Sequence, residues 1–324
     1  MPQPTTNEVH VDSILTNLSV GFMQEEEGFV ADRVFPVVPV QKQSDKYFLY
    51  DKSYWYRAEM EKRAPATESA GGGFKLTTDN YYADVWALHK DIDNQTEANV
   101  DDPINLRNDA TSWLSLQALL RKDKLWMSEY FTTGKWTGDQ TGVAGAPGAN
   151  QFQQFDQGAS LPFQVIEAQR QAIKARTGYF PNKLVLGSQV WAALKNHAAF
   201  IDRIKYTQAG FITTQMLASA LEIDEVIVAS GVENTAAEGA TPAYSFLAGK
   251  SMLLVYAAPR PSIMQPSGGY TFAWTGLEGA GALGNNVSRF DIPEIKSERV
   301  ELEIAFDQKL VAAELGVFFA TAVA

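Results

Sequence analysis

The run Gly279-Ala280-Gly281-Ala282-Leu283-Gly284 has the G-x-G-x-x-G spacing that lets a backbone close on a dinucleotide pyrophosphate. That chemistry needs a strand entering the glycines and a helix leaving them, with the phosphates on the helix N-terminus. Asn285 to Pro293 does not read as a helix, and too little chain follows for a nucleotide-binding fold. The run therefore reads as a glycine loop that permits close backbone approach. Gly249-Lys250-Ser251 has the end of a phosphate-binding P-loop, but the first glycine of that motif is replaced by Tyr244 and a strand follows, so a turn before Ser251 to Ala257 is expected.

Asp91, Asp93, Gln95 and Asp102, with His89 beside them, fall near the positions of a calcium loop. Thr96 stands where that loop needs glycine, and Asp102 stands where it needs a bidentate glutamate. An acidic junction before a helix N-terminus is the expectation, because the helix dipole favours carboxylates there. His10, His89 and His197 are scattered without companion nucleophile or ligand motifs, and His197 is expected beside the carbonyl end of a helix finishing at Asn196. Glu301 and Glu303 alternate with apolar residues, which puts them on the outer face of a strand. The chain has no cysteine, so thiolate nucleophiles, thiolate zinc sites, iron–sulfur clusters and disulfides are excluded. The expectation is no enzyme, no catalytic residue, no metal ligand and no cofactor.

At 45% hydrophobic and 20% charged residues, the 324-residue composition is that of a folded globular chain. There is no apolar stretch of membrane-spanning length and no leader pattern at Met1 to His10, so a soluble protein made in the cytoplasm is expected. A net charge of −11 argues against a sequence-reading nucleic-acid binder.

The elements follow from periodicity. Residues 1–45 read as an extended arm with a short helix at Asp12 to Val20 and an acidic run at Glu25 to Glu27. Two prolines in Arg33 to Val40 favour an extended path over another surface. Lys46 to Ala58 and Phe74 to Leu88 read as an aromatic β-hairpin around a turn from Pro65 to Gly73. Asp102-Pro103 starts a long helix, and Thr132 to Gly158 reads as a loop. Helices at Pro162 to Arg176, Gln189 to Asn196 and Thr214 to Leu221 alternate with strands at Lys183 to Leu186 and Glu225 to Ala229. Further strands are expected at Tyr244 to Ala257, Tyr270 to Thr275, Arg299 to Phe306 and Leu310 to Val323.

This order of parts resembles the shell-forming α+β fold of tailed-bacteriophage major capsid proteins, which encapsulins share. The resemblance rests on Arg33-Val34-Phe35-Pro36-Val37 with the following ribbon, on Asp123-Lys124-Leu125-Trp126, and on the closing run Glu301 to Ala324. It implies an N-terminal arm (1–44), an extended β-hairpin loop (45–88), and a peripheral domain (89–160) with a spine helix (103–131). An axial domain (161–264) and a return segment with C-terminal peripheral strands (265–324) complete the chain. It implies a virion location and self-association into hexamers and pentamers. A separate scaffolding protein, a portal, a decoration protein and packaged DNA bound without sequence reading are the further implied partners. Some relatives crosslink lysine to asparagine, but no such pair is identifiable here, and a noncovalent shell is expected.

Aromatic segments too extensive for one chain to cover are expected to meet other copies, since aromatic side chains dominate interface energetics. The expected inter-subunit contacts are Tyr47, Tyr50, Trp55, Tyr56, Phe74 and Trp86, with Phe35 and Val37 anchoring the arm. The competing readings are an encapsulin-like compartment, a dinucleotide-binding enzyme using Gly279 to Gly284, and a phage tail-tube or adhesion module.

Overall fold

The computed structural model describes residues 28–100, 105–204, 212–261, 265–277, 281 and 283–324. The expected helix at Asp12 to Val20, the run Glu25 to Glu27, His10, Asp102-Pro103, Met264 and the glycine-run residues Gly279, Ala280 and Ala282 lie outside them.

In chain order the arm carries α1 (Ala31–Val34) and β1 (Val37–Val40). The ribbon follows as β2 (Ser44–Tyr50), α2 (Lys52–Trp55) and β3 (Leu76–Tyr82), then β4 (Asp84–Asp93), α3 (Asn94–Ala98) and the long α4 (Leu106–Tyr130). Next come β5 (Gln140–Val143), β6 (Gln151–Gln153), α5 (Pro162–Thr177), β7 (Lys183–Gly187), α6 (Ser188–Lys195), α7 (Ala198–Ile204), α8 (Thr214–Leu221) and β8 (Glu225–Ala229). The chain ends with β9 (Val232–Asn234), β10 (Tyr244–Phe246), β11 (Met252–Val255), β12 (Gly269–Trp274), β13 (Asn285–Ile292), β14 (Ser297–Leu310) and β15 (Gly316–Ala320).

Two sheets dominate. A six-stranded sheet runs β6-β5-β15-β11-β7-β8, and a five-stranded sheet runs β1-β12-β14-β13 with β4 on the other side of β14. Alternation along the central strands sorts side chains between two cores. Leu184, Leu186, Met252, Leu254, Val317 and Phe319 face the helical layer α5–α8, where Ile166, Ile173, Leu194 and Leu217 meet them. Val185, Leu253, Val255 and Phe318 face the opposite layer, built from the arm residues Val30, Val34 and Phe35 and from Trp126, Met127 and Tyr130 of α4. The other half of α4 packs Ala110 and Leu114 on Ile92, Val300 and Leu302 of the five-stranded sheet. One 25-residue helix, about 37 Å long at 1.5 Å per residue, therefore underlies both sheets.

Several expected bounds change for local reasons. The first described cap of the long helix is Asn105, whose side chain accepts the Asn108 amide, so α4 begins three residues after the expected start. The expected loop Thr132 to Gly158 contains β5 and β6, held to the sheet by the buried rings Phe152 and Phe155 beside Phe319. Tyr244 to Ala257 is two strands, parted by a turn with Gly249 at φ +56°. Leu310 to Val323 is interrupted by a 3₁₀ turn at Ala313–Leu315. Because β5, β6 and β15 share a sheet with β7, β8 and β11, the expected axial boundaries 161–264 do not coincide with the edges of that sheet.

Candidate inter-subunit surface

The expected second ribbon strand, Phe74 to Leu88, divides at the fully buried Ala83. Before it, β3 pairs with β2 from Ser44↔Tyr82 to Tyr50↔Leu76; after it, β4 crosses to β14 from Asp93↔Ser297 to Asp84↔Phe306. The ribbon base is pinned where Tyr47 and Tyr81 lie on Phe272, with ring centroids 5.3 and 4.6 Å away. Beyond that base, every residue from Trp55 to Asn80 is exposed.

The expected contact residues fall into separate places. Tyr50, Trp55 and Phe74 come together as one ring cluster, 5.5 to 6.1 Å between centroids, with Trp55 50% and Phe74 62% exposed. Tyr56, 58% exposed, donates its hydroxyl to the Thr177 carbonyl. Tyr47 is half-buried at the base and donates to Asp79 at 2.9 Å, and burial pushes its pKa well above the usual tyrosine value. Trp86 is not on the ribbon: it lies on β4 with the Arg121 guanidinium 4.2 Å over its ring. Val37 is half-buried in the edge strand β1, parallel to β12, which accommodates Pro39. Phe35 has no exposed surface, because Trp126, Tyr130 and Trp136 of its own chain enclose it. Phe35 thus anchors the arm within the chain and is removed from the set that can reach another copy.

Exposed apolar residues outside the expected contact set lie on the same ribbon: Phe48, Leu76, Tyr82 and the 99%-exposed Met60. Met60 stands in a charged run, Glu59-Met60-Glu61-Lys62-Arg63, which hides it from an aromatic search. Between ribbon and body lies a cavity of about 1030 Å³, lined by Val40, Tyr50, Tyr56, Tyr179, Tyr270 and Phe272 among others.

The chemical candidates resolve into structural roles. Asp91 binds Arg299 through two hydrogen bonds of 2.7 and 2.9 Å, which holds its carboxyl below the usual range. Asp93 caps α3 by accepting the Gln95 and Thr96 amides. Among the described residues, no group of three or more His, Asp or Glu could hold a metal ion. His197 follows the carbonyl end of α6, as expected, with its backbone amide donating to the Leu194 carbonyl at 3.1 Å, and its ring Nδ1 accepts the Ala199 amide at the start of α7. The neutral ring then carries its proton on Nε2, 2.9 Å from Ser160 Oγ, so it is a donor to that hydroxyl rather than a base for it. Gly284, at φ +68°, leads into strand β13 rather than a helix, and a Cβ there would lie 2.6 Å from the Ala305 carbonyl oxygen. The dinucleotide reading has no helix to hold a phosphate. Lys250 likewise precedes a strand, β11.

No family model matches the chain. It is 24% identical over 311 residues to the major capsid protein of Burkholderia phage BcepMu, covering 94% of each chain. It is 24% identical over 322 residues to the major capsid protein of Pseudomonas phage JBD67, covering 97% of each. Among solved structures, a phage-related protein from Bordetella bronchiseptica RB50 superposes with a TM-score of 0.68 at 21% identity, covering 92% of this chain and 94% of that one. The capsid of cyanophage P-SCSP1u gives 0.61 at 8% identity, covering 96% and 92%. The SrpI encapsulin of Synechococcus elongatus PCC 7942 gives 0.58 at 11% identity, covering 96% and 95%.

Proposed function

We infer that this chain, which has the fold shared by tailed-phage major capsid proteins and encapsulins, is a structural subunit that self-assembles into the icosahedral shell of a phage head. The observation that carries the reading is the ribbon: Trp55 to Asn80 is exposed throughout, with large rings that its own chain leaves half or more in solvent. Contiguous exposed apolar surface of this kind marks association sites, and a closed shell repeats one such contact around each symmetry axis. The near full-length similarity to two phage major capsid proteins supports the same role.

On this reading Tyr50, Trp55, Tyr56 and Phe74 meet a neighbouring copy, and α4 is the spine beneath both sheets. The region 161–264, together with β5, β6 and β15, lies about the capsomer axes. The subunit is made in the host cytoplasm and does no chemistry. Its net charge of −11 suits a wall that holds DNA without binding it tightly, and a separate scaffold, a portal and a decoration protein complete the head.

The fold match to an encapsulin keeps a cargo-enclosing compartment as the second reading. Size-exclusion chromatography and negative-stain microscopy of the full chain, with the contents identified, separate these outcomes. Shells built in infected cells and filled with DNA are expected. Shells filled with a protein cargo favour the compartment, and a monodisperse solitary subunit under all conditions, with and without a scaffold, ends both.

A further inference from the structure

Beyond its base the ribbon makes a second set of contacts with its own body. Lys52 Nζ donates to the Arg176 carbonyl at 3.0 Å and pairs with Glu314, while the Tyr56 hydroxyl donates to the Thr177 carbonyl. Both carbonyls belong to the last turn of α5, which ends at Thr177 before Gly178 at φ +76°. The final carbonyls of a helix have no partner within it and favour a cation, so Lys52 and Tyr56 supply donors that the helix lacks. These contacts fasten the segment from Lys52 to Tyr56 onto its own body.

The fastening is local. Tyr47 and Tyr81 hold the ribbon base, Lys52 and Tyr56 hold the segment beyond it, and between body and ribbon lies the cavity of about 1030 Å³. The ribbon therefore gains little apolar packing from being folded back. The Lys52–Glu314 pair is itself partly solvated, with the two side chains 39% and 44% exposed. A contact made of a few partly solvated polar groups is one that a competing partner can displace.

We propose that Lys52 and Tyr56 form an autoinhibitory latch, which holds the ribbon on its own subunit until a neighbouring copy takes it up. The proposal rests on the shell reading above. The latch keeps Trp55 beside Tyr50 and Phe74, so the rings that bind a second copy are partly occupied with one another in the free subunit. It therefore slows association without weakening the finished shell.

The test uses the full chain under conditions where the unsubstituted protein forms shells, with assembly followed by light scattering. The variant Lys52→Met, at a residue outside the contacts between copies, removes the Arg176 and Glu314 contacts and keeps the stem. Its lag is expected to shorten at least fivefold, with shells of unchanged size by microscopy. An unchanged or longer lag in a variant with unaltered circular dichroism overturns the latch.

A locked form covers the case in which that variant misfolds. The chain has no cysteine, so Lys52→Cys with Glu314→Cys provides a single pair for a bis-maleimide containing a reducible disulfide. Crosslinked subunits are expected to form no shells and to form them after reduction. Crosslinked subunits that assemble as fast as reduced ones overturn the proposal. Failure of the shell reading looks different: the unsubstituted chain and every variant remain single subunits.

Discussion

Asp123 illustrates how one side chain on the long helix controls the arm. One carboxylate oxygen accepts the Val30 and Ala31 amides at 2.8 Å each, while the other is buried without a partner. Burial, opposed by the two amides, pushes its pKa up to about 6. Because this lies above the ~3.9 of an unfolded aspartate, the folded chain binds the proton more tightly. The resulting stabilisation is fully present below about pH 4 and is lost as pH rises through about 6. Asp123→Asn keeps the acceptor and removes the buried charge. It is expected to raise stability at pH 8 by about 1–3 kcal/mol and to flatten the difference between pH 4 and 7, as read by urea unfolding. The same pH profile in both proteins would contradict this. Asp139 and Asp307 are also pushed up by burial, but they are common to both proteins and cancel in the comparison. Phe35 is a second test at this scale. Phe35→Ala should cost about 3–5 kcal/mol, because the ring is enclosed by Trp126, Tyr130 and Trp136. A variant with unchanged urea midpoint would return Phe35 to the contacts between copies. Its aromatic side chain in a proline-interrupted apolar arm placed it there, since its enclosing partners lie about a hundred residues away in sequence and leave no local trace.

The ribbon is the element whose behaviour most directly separates a free subunit from an assembled one. Its exposed stretch contains Arg57, Lys62, Arg63 and Lys75, all open to a protease. Trypsin is expected to cut the free subunit first between Arg57 and Lys75, leaving fragments on either side, and to leave assembled shells intact for at least tenfold longer. Mass spectrometry of a time course checks this, and equal cutting rates would show that the ribbon stays uncovered in the shell. Elements defined by local signals were legible: α8 and β8 have the bounds read from periodicity, and Gly178 ends α5 as its position suggests. Elements defined by distant pairing were not. Phe74 to Leu88 reads as a single strand, yet Ala83 passes the chain from β2 to β14, whose paired residues lie more than two hundred positions away. The ring cluster of Tyr50, Trp55 and Phe74 could be read as aromatic, but the separation of Trp86 from it could not.

Across the whole molecule, the order of arm, ribbon, long helix and α/β region was visible in the sequence, because each part has its own periodicity. The assembly of one sheet from residues 140–153, 183–255 and 316–320 was not, because short strands such as Gln151–Gln153 acquire their pairing only from tertiary context. The long helix ties this composite together by packing on both sheets. Identical subunits that carry a net charge of −11 must also approach one another against mutual repulsion. That repulsion reaches ~30 Å at 0.01 M salt and ~8 Å at 0.15 M. Apolar ring contacts are insensitive to this screening, whereas the repulsion is not. The subunit concentration at which shells first form should therefore fall about tenfold between 0.01 and 0.15 M sodium chloride and change little beyond, as measured by sedimentation at equilibrium. This threshold is distinct from the lag that the latch controls. Shells that dissolve as salt rises would instead mean that complementary charges hold the subunits together, and the aromatic ribbon would lose its place as the principal contact.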